Sequence, residues 1–134
     1  MESPGPPSSR PVRRVLVVDD DPLVRNLLRA VLEMGDFELY EATDGLEAMT
    51  LAEQHRPEVV VLDVMMPGLN GYDVCRQMRA DPSFDGMRIV MLTARNTTRD
   101  REEGLRAGAD AFFTKPFSPL DLIDCVTGVR DGAA

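Results

Sequence analysis

The sequence predicts an α/β fold in which one parallel sheet is covered by helices on both faces, and three observations point there. Short apolar runs, Val15-Leu16-Val17-Val18, Val59-Val60-Val61-Leu62 and Ile89-Val90-Met91-Leu92, do not alternate with polar residues, as expected of strands buried on both faces. Longer segments between them carry helix start and stop signals. Strand-like and helix-like segments alternate along a chain of 134 residues, a length that suits one domain built by right-handed crossovers.

Residues 1–12 hold Pro4, Pro6, Pro7 and Pro11 among Ser3, Gly5, Ser8 and Ser9, the composition of a flexible leader. The domain is expected over residues 13–129, with 130–134 as a tail or truncated linker. The first strand is Val15 to Val18; Asp21 then caps a helix that has Pro22 at its first position and is closed by Gly35. A weaker strand candidate at Glu38 to Glu41 leads to a helix starting near Asp44. After the strand Val59 to Leu62, a helix runs from about Tyr72 to Arg79 and stops at Asp81-Pro82. The strand Ile89 to Leu92 precedes a helix that starts at Thr97 and ends at Gly108. A second weak strand, Asp110 to Phe113, is followed by a helix opened by the capping box Ser118-Pro119-Leu120-Asp121. The order βαβαβαβαβα implies a flavodoxin-like (βα)5 sandwich with strand order 2-1-3-4-5, and ligands then belong outside the carboxyl ends of the strands, at the switch point between the first and third.

Composition narrows the function. With 43% hydrophobic residues the chain can build a core without disulfides, and Cys75 and Cys125 read as packing residues. Fifteen Lys and Arg against 23 Asp and Glu give a net charge of −8, which argues against nucleic-acid binding by this segment and favours cations and basic partners. No apolar stretch approaches the roughly 18 residues of a membrane span and no secretory signal opens the chain, so a cytoplasmic protein with no membrane partner is expected. Met34, Met49, Met78, Met87 and Met91 read as core fillers, and His55, the only histidine, as a helix-end residue facing solvent.

The polar residues at the strand ends carry the chemistry. The first strand ends in Asp19-Asp20, the third in Asp63, the fourth in Thr93, and the fifth leads to Lys115-Pro116. Taken singly, each has a plain alternative: Asp19 and Asp20 as loop acids near a helix N-terminus, Asp63 as a turn residue, Thr93 as a cap, Lys115 as a solvated strand end. Taken together, carboxylates crowded at one edge repel one another unless a cation joins them, and Mg²⁺ suits carboxylate and carbonyl oxygens. A carboxylate beside such an ion can attack phosphorus, with Lys115 and Thr93 supplying charge and a hydroxyl to the phosphoryl oxygens.

The residues that carry this pattern resemble a known family. Val17-Val18-Asp19-Asp20-Asp21, Leu62-Asp63-Val64-Met65-Met66-Pro67-Gly68-Leu69-Asn70-Gly71, Leu92-Thr93-Ala94 and Gly108-Ala109-Asp110 leading to Lys115-Pro116-Phe117 are similar, in order and spacing, to receiver domains of two-component response regulators such as the chemotaxis regulators. The resemblance implies that Asp63 is the phosphoacceptor, that Asp19, Asp20, Asp63 and the Met65 carbonyl hold Mg²⁺ (with Mn²⁺ as a substitute), and that Thr93 and Lys115 bind the phosphoryl group. It makes Thr93 and Phe112 the switch pair, and it implies a cis Lys115–Pro116 bond. It names a histidine kinase or histidine phosphotransfer protein as donor. The helix from Thr97, the last strand and the last helix then form a phosphorylation-dependent face for a second copy or an output domain. Met65 and Arg95, which would flank the path of attacking water, are read as favouring slow self-dephosphorylation. A haloacid-dehalogenase-like phosphatase also uses an aspartyl phosphate, but it places its nucleophile after the first strand, where this chain offers Asp19, and it has a longer chain. A pseudo-receiver that binds partners without being phosphorylated is at odds with the full acidic set.

Overall fold

The computed structural model describes residues 14–33, 37–64, 70–94 and 97–127. Five strands, β1 (Arg14–Val18), β2 (Glu38–Ala42), β3 (Val59–Asp63), β4 (Arg88–Thr93) and β5 (Ala111–Thr114), form one sheet in the order 2-1-3-4-5. All neighbouring pairs are parallel, with Val17 opposite Glu41, Val18 opposite Leu62, Asp63 opposite Leu92 and Thr93 opposite Thr114. Five helices connect or follow the strands: α1 (Pro22–Glu33), α2 (Gly45–His55), α3 (Gly71–Ala80), α4 (Thr98–Ala107) and α5 (Pro119–Thr127).

Side-chain alternation along the central strands divides the core in two. Leu16, Val18, Val60, Leu62, Ile89 and Met91 face α2, α3 and α4, whose Ala48, Ala52, Val74, Cys75, Met78 and Ala107 close that layer. Val15, Val17, Val59, Val61, Val90 and Leu92 face the other way, onto Leu28 and Leu32 of α1 and Leu122 and Val126 of α5. Burial of both faces is why these strands read as continuous apolar runs. Met49, Met78, Met87 and Met91 pack in the first layer as expected, while Met34 and Gly35 lie outside the described residues.

Capping follows the sequence signals. Asp21 Oδ1 accepts the Leu23 N–H at 2.9 Å, Asp44 accepts from Glu47 N–H at 2.8 Å, and Ser118 Oγ accepts from Asp121 N–H at 3.3 Å. Thr97 caps α4 through the Asp100 N–H, and Gly108 ends that helix in the left-handed conformation at φ 113°. The cysteines are free: Cys75 is buried in one layer, where removal from water pushes its thiol up to about 11, and Cys125 packs on the other side of the sheet.

His55 departs from expectation. Instead of facing solvent it is half-buried and stacks on Tyr40 of β2, with ring centroids 4.0 Å apart and planes 15° from parallel. The end of α2 packs on the edge strand, and a flat ring there covers another flat ring. No helix among the described residues is long and apolar enough to cross a membrane.

Candidate functional site

The polar strand ends converge as their positions in the sequence imply. Asp19 follows β1 directly and is fully buried. Its N–H donates to the Ala42 carbonyl at 3.1 Å, its Oδ1 accepts the Asp21 N–H at 2.9 Å, and its Oδ2 accepts from Lys115 Nζ at 3.1 Å. Asp63, the last residue of β3, is 4% exposed, and its Oδ2 lies 3.6 Å from the same ammonium. Asp20 is exposed at the rim. One carboxylate oxygen from each of Asp19, Asp20 and Asp63 lies within 4.8 Å of the others.

Burial makes this arrangement electrostatically demanding. Two carboxylates are held close together out of water, where charge without a counter-charge is costly, and Lys115 is the cation placed between them. Burial alone would lower the Lys115 pKa, but the hydrogen bond to Asp19 and the charges of Asp63 and Asp19 outweigh it and hold the ammonium above the usual lysine value. The cluster offers hard oxygen donors without sulfur or nitrogen, a set that fits Mg²⁺.

Thr93 closes β4, is fully buried, and its carbonyl accepts the Lys115 N–H at 2.7 Å. That backbone bond sets Lys115 beside Thr93 across the edge of the sheet, and the Lys115–Pro116 bond is cis. Phe112 lies half-buried on β5 under α4. A Cβ at Gly104 would stand 3.0 Å from its ring and 3.1 Å from Met91 Sδ, and the Arg101 guanidinium sits 5.4 Å above the ring centroid. Met65 and Arg95 lie outside the described residues.

Two features at the site were not singled out in the sequence. Arg25 Nη1 of α1 donates to the Asp19 carbonyl at 2.8 Å while its Nε lies 3.3 Å from Glu41 of β2. Gly71, at the start of α3, leaves no room for a side chain: a Cβ there would stand 2.5 Å from the Asp63 carbonyl oxygen and 2.6 Å from Val64 Cα. Gly71 does fall at the end of the motif that begins at Leu62, whereas nothing local marks Arg25 and Glu41 as partners.

A family model described as the response regulator receiver domain matches residues 15–127. The DNA-binding response regulator MtrA of Mycolicibacterium smegmatis is 47% identical over 111 residues, which are 83% of this chain and 47% of that protein. The chain therefore spans about half the length of the curated relatives it matches. Among solved structures, a response regulator described as putative from Chloroflexus aurantiacus superposes with a TM-score of 0.83 at 33% identity, over 88% of this chain and 97% of that one. The receiver domain of the sensor histidine kinase PA1611 from Pseudomonas aeruginosa, solved with a magnesium ion coordinated in its active site cleft, superposes at 0.78 with 30% identity, over 86% and 94%. With sheet order, strand-end chemistry and these matches in agreement, the chain belongs to the receiver domain family of two-component response regulators.

Proposed function

We propose that this domain takes a phosphoryl group from a phosphohistidine onto Asp63 and that the acyl phosphate resets the face built by α4, β5 and α5. One observation carries the reading: Lys115 bridges the buried Asp19 and Asp63 at the switch point of the sheet, with Asp20 closing an oxygen-only cluster. An Asp63 carboxylate oxygen attacks phosphorus, the phosphorus–nitrogen bond of the donor breaks, and the freed imidazole takes up a proton. Mg²⁺, or Mn²⁺ in its place, held by Asp19, Asp20, Asp63 and the Met65 carbonyl, would supply positive charge to the phosphoryl oxygens. Lys115 adds a second positive charge there, and Thr93 offers its hydroxyl to another oxygen. The donor is a histidine kinase or a histidine phosphotransfer protein, since His55 is committed to Tyr40 and lies at the far end of α2.

Transfer from a histidine-phosphorylated donor domain is the direct test. The expected result is a label on the 134-residue chain that is stable to mild acid, is released by hydroxylamine as acyl phosphates are, and maps to Asp63 after borohydride reduction. A label on another residue contradicts the assignment.

The readout couples site to surface through Thr93 and Phe112. When the Thr93 side chain moves toward a phosphoryl oxygen, the space it leaves lets Phe112 turn inward, out from under Gly104 and Arg101. That motion alters α4, where Arg106 pairs with Glu102 at 4.0 Å and Glu103 reaches Arg76 of α3 at 3.4 Å. Both pairs are exposed and worth about tenths of a kcal/mol each, the first lying within α4 and the second tying it to α3. Leu105 of α4 and Leu120 of α5 are 59% and 75% exposed and give the face apolar contact area for a second copy or an output domain. Light scattering is expected to show a larger mass for the phosphorylated chain, and equal monomer masses contradict the dimer.

A further inference from the structure

We infer that Arg25 is a positioning residue for the cation, orienting the peptide that joins Asp19 to Asp20 through a clamp anchored on Glu41; this rests on the metal-centre reading above. The Asp19 carbonyl and the Asp20 N–H belong to one planar peptide unit. Fixing that carbonyl therefore fixes where the N–Cα bond of Asp20 lies, and leaves rotation about that bond to aim its side chain. The Arg25 guanidinium, on α1, does this at 2.8 Å. Asp19 is otherwise held on its N–H side by Ala42 and through its carboxylate by Asp21 and Lys115, so Arg25 is the contact that reaches the side of the unit shared with Asp20.

Glu41 makes a positive group tolerable this close to a cation site. It lies 3.3 Å from Arg25 Nε and also accepts from Arg29 Nε at 2.8 Å, and the Arg25 and Glu41 side chains are only 19% and 21% exposed. Partial burial and a planar fork with several donors let Arg25 serve the carbonyl and the carboxylate together, whereas lysine offers a single point charge. β2 brings Glu41 to this place because Ala42, its neighbour, receives the Asp19 N–H. Groups that orient metal ligands typically change metal affinity by about 10- to 100-fold when removed.

Removing a positive charge beside three carboxylates should, by charge alone, tighten Mg²⁺ binding; loss of the clamp should weaken it. Mg²⁺ titrations by calorimetry on the unphosphorylated chain separate the two. Arg25→Met is expected to raise the Mg²⁺ Kd about tenfold. Arg29→Met removes an equal charge from the same helix and the same Glu41 partner without touching Asp19, and its Kd should stay within about twofold of wild type. Arg25→Lys should fall between, and it keeps the comparison usable if the Met variant does not fold. The same order should appear in the rise of unfolding midpoint on adding Mg²⁺, which does not depend on phosphoryl transfer. Unchanged or tighter binding in Arg25→Met, or equal weakening in Arg29→Met, overturns the clamp alone. A wild-type chain that takes up no Mg²⁺ overturns the metal-centre reading and the clamp with it.

Discussion

Lys115→Met is expected to slow phosphoryl transfer from a small acyl-phosphate donor about 100-fold, the usual order for removing one preorganised charge donor from a reacting group. The same substitution should lower stability in the absence of divalent cation. Asp19 is fully buried and Asp63 nearly so, and the substitution removes the ammonium that lies 3.1 and 3.6 Å from their carboxylates. Breaking a buried pair costs about 3–5 kcal/mol, and the 22% exposure of the Lys115 side chain brings the expected loss here to about 2 kcal/mol. Mg²⁺ should restore more stability to the variant than it adds to wild type, because it replaces the missing charge.

The pH dependence has a definite sign. The folded-state pKa of Lys115 is raised above 10.5, so the stability its ammonium contributes is complete below pH 10.5 and is lost as pH rises through the folded value. Urea unfolding across that alkaline range should show a steeper decline in wild type than in Lys115→Met. Parallel declines would contradict the bridging role.

Gly71→Ala carries the largest expected effect on folding from a single added methyl. The new Cβ would sit 2.5 Å from the Asp63 carbonyl oxygen and 2.6 Å from Val64 Cα, both backbone atoms that cannot rotate away. Overpacking of this kind typically costs about 1–3 kcal/mol, and with two backbone clashes the upper end, about 3 kcal/mol, is expected in urea unfolding. The strain falls on Asp63, the proposed phosphoacceptor. The Gly71 N–H donates to the Val64 carbonyl at 2.8 Å, so the start of α3 is held against the end of β3 and any retreat of the helix moves Asp63. Phosphorylation of folded Gly71→Ala should therefore also slow. Wild-type stability and rate would show that α3 has slack to retreat.

The elements differ in how far the sequence disclosed them. β1, β3 and β4 were legible because burial on both faces leaves apolar residues with no alternation to confuse. Asp63 and Thr93 extend β3 and β4 past the apolar runs, since each still has a partner across the ladder, Leu92 and Thr114. The outer strands gave weaker signals: β2 and β5 lie at the edges of the sheet and most of their residues are only half-buried. The convergence of Asp19, Asp20, Asp63 and Lys115 was legible because strand ends in this topology share one edge. Arg25, Glu41 and the stacking of His55 on Tyr40 were not. Each depends on which turn of a helix lies over which residue of a neighbouring strand, a relation with no local mark in the sequence. Gly71 was visible as part of a motif, but its reason, the close approach of the helix to the Asp63 backbone, is a property of the packed fold.

The most direct measurement is the intact mass of the chain after incubation with a small acyl-phosphate donor, with and without Mg²⁺, beside Asp63→Asn. One phosphoryl adduct on wild type that requires Mg²⁺ and is absent from the Asn variant is the predicted result. An adduct that persists in Asp63→Asn, or a folded wild-type chain that binds Mg²⁺ and acquires none, would contradict the assignment of Asp63 as phosphoacceptor.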